Sequence, residues 1–150
     1  MVSFNAILEA GRELLEGRFP GETVYVNLAP SGFTRPSFLA ALGEIHMEDA
    51  GADTLALSLP LELKAFVEVD SYHHSHIPEL ITRTAAVMEL FAVSGLRVGD
   101  RVLGVAETRA EYNSDYADIT VLLSYHDDRP GGEDWPLMGE ITTKTELKEG

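Results

Sequence analysis

Apolar and polar residues alternate along this chain with two different periods, and the switches between them lay out its elements. Phe4, Ile7, Leu8, Leu14 and Leu15 recur at helical spacing with Gly11 completing the stripe, so residues 3–17 read as an amphipathic helix. Ser3 can cap its start, and Gly17 followed by Pro20 can end it. TVYVNL (23–28) sets Val24, Val26 and Leu28 against Thr23, Tyr25 and Asn27, the period of a half-buried strand. APSGFTRP (29–36) is turn chemistry. Ser37 to Glu48 reads as a second strand whose period Gly43 weakens, and the acidic MEDAGAD (47–53) suits an exposed hairpin connection. Then Leu55, Leu57, Leu59, Leu61, Leu63, Ala65, Val67 and Val69 occupy every odd position of one long stretch, which predicts a long, bent strand over 55–69. Pro60 within it cannot donate to a ladder and marks an edge segment or a bulge.

A second helix is predicted over 77–94 from Leu80, Ile81, Ala85, Met88, Phe91 and Ala92, with Pro78 in its first turn and Gly95 behind it. Residues 100–112 and 117–126 read as two strands around the turn Asn113-Ser114-Asp115. The order is α-β-β-β-α-β-β. It predicts an α+β domain with a mainly antiparallel sheet of four to five strands and two helices packed on one face. That domain is expected to occupy residues 1–128. Residues 129–150 read as an acidic linker followed by a tail or one added strand.

Composition changes this picture chiefly through charge. The 150 residues carry 25 acidic against 11 basic side chains, a net charge of −14, which should repel nucleic-acid backbones and anionic membranes rather than grip them. No apolar run reaches the ~18–20 residues of a membrane span, and the opening MVSFNAILEAGRE lacks the pattern of a signal peptide. Cysteine is absent, which removes disulfides, thiolate chemistry and cysteine-ligated zinc.

Catalytic motifs are not evident. The serines sit in no GxSxG setting, the glycines form neither a P-loop nor a dinucleotide fingerprint, and MEDAGAD lacks the spacing of a calcium loop. One cluster resembles a site: His73, His74 and His76, three imidazoles within four residues, which could chelate a divalent metal and serve a small metal-dependent enzyme. The simpler reading is an exposed loop with a helix cap, so no catalytic residue, cofactor or metal is expected. The apolar face of 55–69 looks longer than two helices of these sizes can cover, which points to self-association through sheet faces or edges. Phe66, Leu103, Val105 and Leu122 suggest that part of the opposite face is covered as well.

The layout resembles a family of phage tail terminator proteins from tailed phages and prophages of Gram-positive hosts. The resemblance runs through GRFPGETVYVN, the turn-rich GFTRPSFLAAL, the long middle strand, HIPELITRTAAVMELF and the hairpin RVLGVAETRAEYNSDYADITVLLSYH, covering roughly residues 4–128. It rests on the order, spacing and length of elements and on Gly32-Phe33-Thr34-Arg35-Pro36-Ser37-Phe38; residues 129–150 fall outside it. It implies a structural role: a ring, commonly hexameric, that caps the head-proximal end of the tail tube and offers a docking surface to the head. The implied partners are other copies of the chain, the tail tube protein and the head–tail connector protein, with no sequence-specific nucleic-acid binding. The implied place is the virion tail, or the host cytoplasm during assembly. A head–tail connector or another minor tail protein is the neighbouring alternative, and an acidic mimic that binds basic host proteins is a further one. Exposed loops on a rigid sheet commonly carry recognition, which makes Gly32, Phe33, Arg35 and Pro36 in one turn, and Glu48 and Asp49 in the acidic loop, the candidate contact residues.

Overall fold

The computed structural model describes residues 1–130. Helix α1 (Phe4–Arg18) is followed by strands β1 (Thr23–Val26), β2 (Ser37–Leu42), β3 (His46–Asp49) and β4 (Thr54–Phe66). Helix α2 (Ile77–Ser94) and strands β5 (Leu96–Val98), β6 (Arg101–Tyr112) and β7 (Ala117–Asp128) complete the order. The fold is α+β with two helices, as the periodicities predict. The sheet differs from the expectation: it has seven strands in the order β1-β2-β4-β7-β6-β5, with β3 also pairing β4. It is mixed, because β1 and β2 run parallel.

Three local causes explain the difference. β5 is only three residues long, too short to display a period. The single strand expected over 37–48 is two strands: Leu42 faces Leu61 and His46 faces Ser58, so one extra residue is accommodated between them. Pro60 lies at that irregularity. Its carbonyl accepts from the Gly43 N–H at 2.9 Å. In an antiparallel ladder its nitrogen points the same way, so the missing donor falls at the bulge and not in the pairing with β7. Finally, β1 becomes parallel to β2 because residues 27–36 carry the chain back across the sheet before β2 begins.

The odd-numbered side chains of β4 from Leu55 to Ala65, and Val67 just beyond it, are all buried. They join Ile7, Leu8 and Leu15 of α1, Leu80, Val87 and Phe91 of α2, and Ile119, Val121 and Leu123 of β7 in one core. The expectation that this row outruns its helices is therefore corrected. α1 touches β1 and β2 near one edge of the sheet and β5 at the other, so the sheet curls around the helices and closes over the row. Gly11 permits the approach: a Cβ there would stand 2.8 Å from Leu61 Cδ2. Leu103 and Val105 belong to this helix-covered face too, not to the opposite one; Leu103 is fully buried and Val105 pairs with Leu123.

The caps follow the sequence. Ser3 Oγ accepts from Ala6 N at 3.3 Å at the start of α1. Gly95, at φ +62°, ends α2. Arg83, on the apolar stripe of α2, is buried and makes a two-pronged ion pair with Glu22 at 2.7 and 2.8 Å. Its guanidinium also lies about 5 Å from the rings of Phe19 and Phe38, which fastens α2 to the segment leading into β1. At the far end of β7, the buried carboxylate of Asp127 accepts from the Val2 and Asp128 backbone N–H groups at 2.6 and 2.8 Å and faces Arg101 at 3.1 Å.

Candidate interaction surface

The face of the sheet away from the helices carries the even-numbered side chains of β4 and β7. One end of it is covered by the turn 29–36. Phe33 packs on Phe66 with ring centroids 4.5 Å apart and meets Tyr25 edge-on at 6.1 Å. Arg35 lies about 5 Å from both Phe33 and Phe66 and donates to the carbonyls of Val67 at 3.0 Å and Asp115 at 2.8 Å. The Tyr25 hydroxyl accepts from Thr34 N at 3.0 Å. Tyr116 extends the row at 6.0 Å from Phe66, with the Lys64 ammonium over its ring and 2.7 Å from Asp118. The ammonium is partly desolvated, which works against its charge. The Asp118 carboxylate, together with Tyr116, more than offsets this and raises its pKa.

This cluster shows where the sequence-predicted contact residues stand. Phe33, Arg35 and Pro36 are half-buried and engaged within the chain, with Arg35–Pro36 a cis peptide; the tip at Ser31 and Gly32, where Gly32 has φ +71°, is what the turn exposes. Phe66, read above as a sign that part of this face is covered, is the residue on which the cluster is built.

The acidic connection is shorter than its composition suggests. Glu48 and Asp49 lie in β3, a fully exposed strand, and the tip is confined to residues 50–53. Asp49 pairs with Arg129, whose backbone N–H donates to Asp53 O at 2.9 Å and whose Nε donates to Ala52 O at 3.0 Å. The chain just beyond β7 is thus fastened to this hairpin. Residues 131–150, with the linker and tail expected there, lie outside the described residues.

The histidine cluster is an exposed turn. Asp70 Oδ1 accepts from the backbone N–H groups of Tyr72 at 2.8 Å and His74 at 3.0 Å, and these bonds, with His74's the larger, lower its pKa. His73 takes φ +61° at the bend, and His76 is the N-cap residue of α2. All three histidines are exposed. Among the described residues no group of three or more His, Asp or Glu side chains is placed to hold a metal ion.

Beyond the aromatic cluster the open face is a shallow depression of roughly 510 Å³, lined by Leu39, Ala41, Glu62, Lys64, Arg109 and Glu111 among others. Charges of both signs line it. The sequence reading passed over Arg109 and Glu111, and over Arg83. For Arg83 a signal was available: it sits three residues after Leu80 and four before Val87, in line with the helix's apolar stripe. No helix among the described residues is long and apolar enough to cross a membrane.

No family model matches this chain, and no curated protein matches it. Among solved structures, a protein known by an identifier alone aligns with 85% of this chain and 96% of its own length, at 17% identity and a TM-score of 0.42. A likeness of that degree carries no argument about fold or activity.

Proposed function

We propose that this chain is a structural protein of a phage or prophage tail: a terminator that caps the head-proximal end of the tail tube, as a ring, and presents the surface to which the head docks. The observation that carries the reading is the run of elements on which the resemblance rests. The opening helix, the turn 29–36, the long β4, the helix over 77–94 and the hairpin of β6 and β7 follow one another in that order, which supports the reading. In mechanism this is an end-capping equilibrium. One face of the ring matches the tube subunit and the other does not, so the next tube subunit finds no complementary edge and growth stops.

The net charge of −14 is compatible with this reading, because acids lining a lumen would let DNA pass without adhering. The partners are then the tail tube protein, the connector protein and other copies of the chain, in the virion tail or in the host cytoplasm during assembly. The test is tube growth. The tail tube protein from the same genome is allowed to polymerise with and without this chain, and tube length is read by negative-stain electron microscopy. Shorter tubes with added density at one end are expected. Tubes of unchanged length with bare ends would reject the proposal.

A further inference from the structure

β5 pairs only with residues 101–103 of β6, while β6 from Gly104 to Tyr112 pairs with β7 on its inner side. The outer edge of residues 104–112 therefore has no strand beside it among the described residues. Such an edge is a template for another strand unless its side chains prevent pairing. Here the side chains have a definite order. Glu107, Arg109 and Glu111 stand on the open face, opposite Leu122, Thr120 and Asp118 of β7. Thr108, Ala110 and Tyr112 stand on the other.

The charges on this edge are only partly satisfied. Arg109 lies 3.6 Å from Glu107, both largely in solvent. Glu111 is set directly across from another carboxylate, Asp118, which is already held by Lys64 at 2.7 Å. Like charges directly opposite one another are unfavourable in a ladder. Glu111 has no cationic partner among the described residues.

We propose that the outer edge of β6 is a self-complementary docking strand, pairing antiparallel with β6 of a second copy about a two-fold axis through Ala110. In that register each Arg109 faces Glu111 of the other copy, so two ion pairs form and both isolated carboxylates gain a cation. Tyr112 of each copy covers Thr108 of the other on the opposite face, and alanine meets alanine on the axis. The neighbouring registers are worse for definite reasons. Centring on Arg109 sets arginine against arginine and Glu107 against Glu111. Centring on Thr108 leaves Glu111 without a cation and runs the ladder into the irregularity between Val105 and Glu107. The contact is isologous and closes at two chains. It does not rest on the tail reading, and a ring would have to be built from other surfaces of the chain.

The full chain is tested by sedimentation velocity over a concentration series, with circular dichroism to verify folding. The wild type is expected to dimerise. Arg109→Glu, a change at an exposed position, is expected to weaken the dimer by at least about tenfold by setting like charges opposite. Arg109→Glu combined with Glu111→Arg restores the pairing with the charges exchanged, and the dimer with it. The absence of cysteine allows a second readout. Directly opposed residues of an antiparallel pair have Cα atoms about 4.5–5.5 Å apart, within disulfide range. Ala110→Cys should therefore link two chains on mild oxidation, and Thr108→Cys should not. A wild type that stays monomeric, a dimer indifferent to Arg109→Glu, failure of the double variant to restore it, or linkage at position 108 and not at 110 would each overturn the proposal.

Discussion

The open face of the sheet carries two arginines in opposite circumstances. Arg35, at one end, has a side chain only 16% exposed, flanked by two aromatic rings and bonded to two carbonyls. Arg109, out on β6, is 73% exposed, and its ion-pair partner among the described residues is Glu107 at 3.6 Å. The same guanidinium thus serves to close a turn onto the sheet in one place and stands in water in the other. Whether an arginine stabilises the chain or is free for a partner depends on what desolvates it and on whether fixed acceptors meet its planar fork.

The comparison is best broken at its anchor. Phe66 is 5% exposed and carries Phe33, Arg35 and Tyr116. Phe66→Ala should cost about 3–5 kcal/mol in urea unfolding, the range of a large aromatic removed from a packed site. Arg35→Ala should follow at about 2–3 kcal/mol, since it leaves the Val67 and Asp115 carbonyls without their charged donor. A cost under about 0.5 kcal/mol for Arg35→Ala would erase the distinction from Arg109.

Lys64 stands between the two cases, at the rim of the cluster and 39% exposed, so Lys64→Met should cost no more than about 1 kcal/mol at neutral pH. Its pKa is raised from the ordinary 10.5. The folded state therefore holds the proton more tightly, and the contribution is complete below the unfolded value and lost as pH rises through the folded one. Urea titrations of wild type and Lys64→Met should differ most at neutral pH, and the difference should shrink as pH rises past the ordinary lysine value of 10.5. Arg109→Ala should change unfolding by less than about 0.5 kcal/mol, read at a protein concentration low enough to keep chains apart.

Much of the fold was legible because it depends on local periodicity. The helix over 77–94 lies at the predicted residues, and α1 differs from its prediction by one residue at each end. Leucines on alternate positions marked β4, and Pro60 marked a departure from regular pairing. β5 was invisible because three residues carry no period. The split between β2 and β3 was hidden because an inserted residue shows itself only against a partner strand. The open face was the least legible part. Phe33, Arg35, Phe66 and Tyr116 come from four separate stretches of chain, and each taken alone reads as a turn residue or an exception to a pattern.

By itself, then, the sequence determined where the chain is helical, where it is extended, which side of β4 is apolar, and a net charge of −14. Those properties follow from the spacing and type of neighbouring residues. Only the tertiary structure decided that the sheet curls around its helices far enough to bury the apolar row from Leu55 to Val67, that β1 runs parallel to β2, and that Arg35 is engaged inside the chain while Arg109 stands in water. Each of these depends on contacts between residues distant in sequence, and no local pattern encodes which distant groups will meet.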